Sequence, residues 1–429
     1  MGAAVTPPDQ SAGLDAWLDY LEHLHHKPIE LGLDRIRLVA ERLQLTATDA
    51  KVITVAGTNG KGSTVRYLET ILRADGYRTG VYISPHLQRY QERVRVGGEE
   101  LSAERHVAAF AAIEAARGDV SLTYFEFGTL AAFWLLKQQQ LDVWILEVGL
   151  GGRLDAVNIL DADVGVLTSV GIDHIGFLGP DRTGIAREKA GIFRSGRPSV
   201  CGEPDFPEPV RTELQQRGIE LQRVGFEFDY GMNEAGDWFW RDQNQQMNAL
   251  PLPQLPLPNA ATALAALTQL SLPVSREAID EGLSRAREPG RLQLLPGEPA
   301  TLLDVAHNPH AAKYLASYLL ARFPYRPVYA VVGMLNDKDI AGTLAELAGV
   351  VSRWYFADLH EPRGARAGEL KQALSADATA ASQEFGTVTD AYEAACQQAL
   401  AATSEGTTNG PLVLVCGSFY TVGKIGTEQ

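Results

Sequence analysis

The apolar run Val52-Ile53-Thr54-Val55-Ala56 delivers the chain directly into Gly57-Thr58-Asn59-Gly60-Lys61-Gly62-Ser63. A strand feeding a glycine-rich turn with one lysine can bend its backbone around a phosphate chain. Small residues let N–H groups point inward, the lysine neutralises the outer phosphates, and a hydroxyl can approach Mg²⁺. The widespread form of this loop has Gly where Val55 stands and Ser or Thr where Gly62 stands. Here the hydroxyls come later, at Ser63 and Thr64. The plain alternative is a strand-to-helix turn with a chance lysine; the spacing favours a nucleoside triphosphate site.

At 429 residues, the chain is long for one core, and two or three domains are expected. No window approaches the roughly 18 uninterrupted apolar residues of a membrane span, and the start shows no signal peptide, so a cytoplasmic protein without a membrane partner is expected. Cys201, Cys396 and Cys416 have no short spacing, which argues against a disulfide framework or a zinc site. A net charge of −15 disfavours nucleic acid, whose phosphates need clustered Lys and Arg. It would also repel an anionic substrate, so a site for one must be locally basic.

Apolar runs alternate with amphipathic stretches. Strands are expected at Val52–Ala56, Thr79–Ile83, Val143–Val148 and Val164–Val170, with helices at Ser63–Ala74, Ala103–Ala116 and Phe127–Gln139. Val- and Ile-rich strands without polar alternation indicate a parallel sheet covered on both faces, hence an α/β protein. Gly225–Tyr230 and Asp237–Arg241 read as antiparallel ribbon, and Pro251–Pro258 as a connector before helices at Asn259–Leu270 and Ser275–Arg287. The α/β rhythm restarts with strands at Thr301–Val305, Val328–Val332, Trp354–Ala357 and Leu412–Cys416 and helices at His310–Arg322 and Asp390–Thr403. This predicts a first domain over 1–290, a linker at 291–298 and a smaller open-sheet domain over 299–429.

Glu147 closes one expected strand before Gly149-Leu150-Gly151-Gly152-Arg153, at the carboxyl end where open parallel sheets bind ligands. A carboxylate there can hold Mg²⁺ or simply be solvated; the neighbouring phosphate loop favours the metal. Asp173-His174 and Ser84-Pro85-His86 end neighbouring strands likewise. The oxygens of Ser84 and Glu147 suit Mg²⁺, whereas the His174 imidazole is an unusual ligand for it and could equally be packed or near phosphate. Lys189 reads as a helix-surface lysine whose charge would repel a cation. In the second domain, Asp304-Val305-Ala306-His307-Asn308-Pro309 follows a strand and opens a helix, readable as a functional rim, as Asn308 capping with Pro309 at the first helical position, or as both.

Taken together, these blocks resemble the folylpolyglutamate synthase/dihydrofolate synthase family, within the Mur-type ATP-dependent amide ligases. The resemblance spans nearly the whole chain. It rests on His25 with Ile29–Arg35, Gly57–Ser63, Ser84–Leu87, Thr123–Glu126, Glu147–Asp155, Gly171–His174, Glu188–Ile192, Asp304–Pro309, Asp337–Asp339 and Gly417-Ser418. Val157 and Val305 depart from commoner wording (Thr and Gly respectively) and touch no charged position. The resemblance implies an N-terminal Mur-ligase-like phosphate-loop ATPase domain with a mostly parallel sheet, and a C-terminal Rossmann-like domain with the active site in the cleft between.

It further implies a bifunctional enzyme joining L-glutamate to dihydropteroate and adding γ-linked glutamates to reduced folates, with ATP as co-substrate; nothing in the sequence suggests more than a monomer. On this resemblance Thr58, Asn59, Gly60, Lys61, Gly62, Ser63, Asn259, Arg291 and Asp304 bind ATP, and two Mg²⁺ ions use Ser84, Glu147 and His174. Lys61, Glu147, His174 and Lys189 carry catalysis, with Lys189 carbamylated and thereby turned into an anion near the metal. His23, Leu24, His25, Thr123, Tyr124, Phe125, Glu126, Leu154, Asp155 and Ala156 match dihydropteroate-binding segments, and His307 and Ser418 bind glutamate. Two rivals stay open. A ligase of peptidoglycan precursors would need a further domain, for which the roughly 50 residues before the phosphate loop leave little room. A non-catalytic ATP-driven switch would leave the second rim without a purpose.

Overall fold

Val- and Ile-rich runs become strands because a parallel sheet buries both faces of each strand. The computed structural model describes residues 6–9, 11–234, 236–374, 381–404 and 410–426, and the chain divides into two units, Met1–Ala286 and Arg287–Gln429. In the first, β1 (Lys51–Ala56), β2 (Thr79–Tyr82), β3 (Val94–Val96), β4 (Glu99–Glu100), β5 (Val143–Glu147), β6 (Val164–Leu167), β7 (Ser199–Cys201) and β8 (Leu221–Arg223) form one sheet ordered β4-β3-β2-β5-β1-β6-β7-β8. The run from β2 to β8 is parallel, and β3 and β4 add an antiparallel edge.

Successive residues of each strand feed opposite cores, as a period of two requires. Val52, Trp144 and Leu146 enter one core with the helices Leu14–Leu24, Asp34–Arg42, Ala103–Arg117 and Tyr124–Lys137. Ile53, Val55, Val143 and Ile145 enter the other, under the helices Lys61–Ala74, Leu257–Gln269 and Arg276–Arg285. From β1 the chain passes to β2 on one side of the sheet, and from β5 to β6 on the other. The carboxyl end of β1 is therefore a topological switch point, where open sheets leave a crevice.

The ribbon expected from two segments has three strands, β9 (Phe228–Met232), β10 (Trp238–Asp242) and β11 (Gln246–Leu250). It packs on the second core through Trp240, whose Nε1 donates to Ala261 O (3.0 Å). In the second unit, β12 (Gln293–Leu295), β13 (Thr301–Leu303), β14 (Val328–Val332), β15 (Arg353–Ala357), β16 (Ser382–Phe385) and β17 (Leu412–Cys416) are ordered β12-β13-β17-β14-β15-β16, parallel except for β12. Residues 291–298, expected as a linker, instead supply β12, which pairs with β13, while Leu292 is buried in the second unit's core. The division accordingly falls after Ala286, earlier than residue 290. No helix among the described residues is long and apolar enough to cross a membrane.

Candidate active site

The phosphate loop occupies the switch point. Its first residues are clamped by the segment after β6: Thr58 N donates to Ser169 O (2.9 Å), Thr58 Oγ1 to Gly171 O (3.0 Å), and Asn59 N to Ser169 Oγ (3.0 Å). Thr58 and Asn59, expected among the phosphate-binding amides, thus spend their N–H groups on the protein itself. The amides that remain are those opening the helix at Lys61, which a helix leaves without intrahelical partners. Gly60 caps that helix in a left-handed conformation (φ 85°), and any side chain there would strike Asn259, so Asn259 is packed against the loop. Gly62, Ser63 and Thr64 are buried, and Thr64 Oγ1 has no hydrogen-bond partner among the described residues.

Two lysine amino groups converge on one carbonyl. Lys61 Nζ donates to Gly57 O (3.1 Å) and Lys189 Nζ to the same oxygen (3.0 Å). The surface reading of Lys189 is wrong: its helix, Arg182–Lys189, turns it inward to 4% exposure. Burial, then the charge of Lys61, pushes its pKa down to about 7, against the opposing pull of Asp173 and Asp155. Asp155 is itself buried and pushed up to about 6 by desolvation, although its oxygens accept from Leu150 N (2.8 Å) and Val157 N (3.0 Å).

Glu147 pairs in register with Val55 at the end of β5 and is 3% exposed; half-buried Ser84 follows β2 on the adjoining strand. These hard oxygens suit Mg²⁺ carried by a polyphosphate, whose own charge Lys61 can offset. His174, half-buried in a left-handed conformation (φ 52°), adds a nitrogen donor and is the weaker match. Among the described residues, three clustered His, Cys, Asp or Glu ligand atoms occur at His25, His26 and Glu30. There Arg35 (2.6 Å) and Lys27 (2.8 Å) already hold the carboxylate, which fits no cation.

Two of the segments expected to bind dihydropteroate, at His25 and at Thr123–Glu126, meet in one polar chain. His25 Nδ1 contacts Ser121 Oγ (2.7 Å) and its Nε2 contacts Glu30 Oε2 (3.0 Å); Arg35 bridges Glu30 and Glu126 (3.1 Å). Lys27 and His25 hold the Glu30 carboxyl down at about 2. Thr123 and Glu126 form a reciprocal cap, Thr123 N to Glu126 Oε2 (2.8 Å) and Glu126 N to Thr123 Oγ1 (3.2 Å), which fixes the start of the helix carrying Tyr124 and Phe125. Phe125 stacks with Tyr82 (6.2 Å) and lies against Gly149, and half-buried Leu154 precedes the turn Ala156–Ile159 that Asp155 caps. His23 does not join: it is exposed and contacts Asp19 O on its own helix (2.7 Å), while Leu24 contributes only its carbonyl, to Ser121.

Sequence reading missed three participants. Glu30 and Arg35 lie within the Ile29–Arg35 block but carried no role of their own, although their alternation of charge with apolar residues was visible. Arg93, 8% exposed, lies over Tyr90 (5.2 Å to Cζ) and Tyr124 (5.4 Å), and its Nε donates to His86 Nδ1 (2.8 Å). Burial and that neighbouring cation hold His86 down at about 4. An arginine is solvated by default, and no signal in the sequence marked this one.

In the second unit, half-buried Asp304 accepts from Leu292 N (3.0 Å) and Ala306 N (2.9 Å), and desolvation raises its pKa. Arg291 lies over Phe419 (5.5 Å), and His307 is near the same ring (6.2 Å). Gly417 N donates to Ala306 O (2.9 Å), so His307 and Ser418 share the rim at the ends of β13 and β17. Asn308 and Ser418 both cap helices, through Ala311 N (2.9 Å) and Thr421 N (3.0 Å), so the capping reading of Asn308 holds.

A phosphate loop, a carboxylate at the switch point and a second sheet rim define the class of ATP-dependent ligases of the Mur type. Residues 55–247 match the Mur ligase middle domain and residues 290–419 the Mur ligase glutamate ligase domain. The chain is 53% identical over 418 residues to the dihydrofolate synthase/folylpolyglutamate synthase of Escherichia coli (strain K12), covering 97% of this chain and 96% of that one. It is similar to E. coli FolC in complex with DHPP and ADP (TM-score 0.91, 52% identity, 97% and 98% covered). It is likewise similar to the Yersinia pestis bifunctional enzyme complexed with AMPPNP and Mn ion (TM-score 0.90, 51% identity, 98% of each chain). The chain belongs to the dihydrofolate synthase/folylpolyglutamate synthase family.

Proposed function

We propose that this chain joins L-glutamate to dihydropteroate, and further glutamates to reduced folates, at the expense of ATP. A carboxylate cannot acylate an amine directly, because oxide would have to leave. Its oxygen attacks the γ-phosphorus, the bond to ADP breaks, and an acyl phosphate results. The amine of glutamate then attacks the carbonyl carbon and loses a proton, and phosphate departs. The protein's share is positioning and charge stabilisation. Lys61 and the amides opening its helix hold the phosphates, and Asn259, Arg291 and Asp304 contact ATP. Ser84 and Glu147 would hold one Mg²⁺ and His174 a second, supplying neutralisation of phosphate charge. His25, Leu24, Thr123–Glu126 and Leu154–Ala156 receive the pterin substrate, and His307 and Ser418 the incoming glutamate.

The buried amine of Lys189, with its pKa near neutrality, is the group that CO₂ carbamylates, converting a cation beside the metal ligands into an anion. The substrates are small molecules, and the chain acts as a cytoplasmic monomer without nucleic acid.

The observation carrying this reading is the convergence of Lys61 and Lys189 on Gly57 O beside buried Glu147 at the switch point. The test is phosphate release from ATP and Mg²⁺ with dihydropteroate and glutamate. Release that requires both organic substrates is expected; release independent of them would fit an ATP-driven switch instead.

A further inference from the structure

Arg93 and Arg95 are two residues apart, both buried, and differently provided for. Arg95 (4% exposed) is bound by Glu69, Nη2 to Oε2 at 2.8 Å and Nε to the same carboxylate at 3.1 Å. Here the fold itself supplies the anion. Arg93 (8% exposed) pairs with no carboxylate among the described residues. Its surroundings are the faces of Tyr90 and Tyr124, the His86 imidazole taking the Nε proton, and the Tyr82 hydroxyl within reach. Aromatic faces offset part of a guanidinium's desolvation, but a buried cation without an anion still carries a net desolvation penalty. A guanidinium has five donors, and these two polar neighbours leave most of its fork for something else.

The position says what that is. Arg93 O accepts from Ile83 N (2.9 Å), so its backbone lies beside the end of β2, next to Ser84. Tyr82, whose hydroxyl it reaches, belongs to the core on the opposite face from the helix of Lys61, and Tyr124 opens the helix of the Thr123–Glu126 block. The fork is thus between the rim where phosphate chemistry is assigned and the segment assigned to the pterin acid. A planar guanidinium matches a carboxylate bidentately.

We propose that Arg93 binds the carboxylate of the pterin acid, the group that becomes the acyl phosphate, and so selects acids at this site. This rests on the function proposed above, and makes Arg93 a substrate-binding residue rather than a packing one.

The experiment compares dihydropteroate with its carboxamide analogue in equilibrium binding to full-length enzyme saturated with Mg²⁺ and a non-hydrolysable ATP analogue. Wild type should prefer the acid by at least about 10–100-fold, the range of a single charge-assisted hydrogen bond. In Arg93→Gln the preference should fall to within about threefold, and in Arg93→Lys, which keeps charge but not the fork, to an intermediate value. Nucleotide binding by each variant verifies that the first unit is folded; if Arg93→Gln fails that check, Arg93→Lys alone decides. A packing role predicts that both ligands weaken together with the preference intact, and that result overturns the proposal, as does a wild type indifferent to the carboxylate. Substrate-dependent phosphate release by wild type is read separately, so the assigned reaction can stand while this assignment falls.

Discussion

Lys189 sits where an ammonium is poorly stabilised, and this fixes the sign of its pH behaviour. Its folded pKa, near 7, is below the ordinary 10.5, so between those values the unfolded chain binds more protons than the folded one. Stability of the unmodified enzyme should therefore rise with pH through that window and be lost as pH falls toward 7, by at most about 1.4 kcal/mol for each pH unit crossed. Lys189→Met should flatten the slope in urea titrations at pH 7 and pH 9. The same neutral amine is what CO₂ requires. Enzyme stripped of CO₂ should regain turnover on adding bicarbonate, with a mass gain of one CO₂ by non-acidic mass spectrometry; active enzyme showing only free amine would remove the carbamylation. Lys61 differs, being half-buried at the mouth of the loop. Lys61→Ala should lower kcat by about 10²–10³-fold with the fold intact, the usual cost of one preorganised donor; near-normal turnover would contradict its phosphate role.

At the scale of elements, the phosphate-loop helix is tied to the sheet's antiparallel edge by the buried ion pair of Glu69 of Lys61–Ala74 with Arg95 of β3. Removing the carboxylate strands Arg95, so Glu69→Gln should destabilise by about 3–5 kcal/mol, whereas the double change Glu69→Met with Arg95→Met should recover much of it, less the pairing that Glu69 also gives Arg66 (3.0 Å). Urea unfolding decides, and equal losses in single and double variants would deny the coupling. This tie was not legible in the sequence. Val94-Arg95-Val96 alternates like a half-exposed strand, and nothing local says that its charged side is also covered. The parallel strands were legible because Val52–Ala56 and Val143–Val148 are apolar on both faces, a pattern that only a doubly covered sheet explains. Short β7 and β8 were not, since three residues carry too little periodicity. Helices Leu14–Leu24 and Asp34–Arg42, which complete one core, were visible only where they overlap the family's blocks, although both are amphipathic. The site divided likewise: loop, strand ends and caps have local signatures, while the burial of Lys189 and Arg93 depends on contacts made far away in sequence.

For the whole molecule, each of the two units has its own core, and the tryptophans are divided unevenly between them. Trp17, Trp134, Trp144, Trp238 and Trp240 lie in the first unit and Trp354 alone in the second. Trp354 stacks near Phe356 (5.6 Å) in the second core, so Trp354→Phe costs that core some packing and leaves fluorescence reporting on the first unit alone. A ligand that binds only the native state stabilises it by RT ln(1 + [L]/Kd), about 2.7 kcal/mol at a hundred times Kd. If the phosphate loop of the first unit holds ATP, Mg²⁺-ATP at that excess should raise the urea midpoint of the Trp354→Phe fluorescence transition by that free energy divided by its m-value. Adding Lys61→Ala should shrink the shift at the same nucleotide concentration, because weaker binding brings [L]/Kd down. A midpoint unmoved by nucleotide would place ATP recognition outside the loop at the end of β1, whatever the turnover of the enzyme.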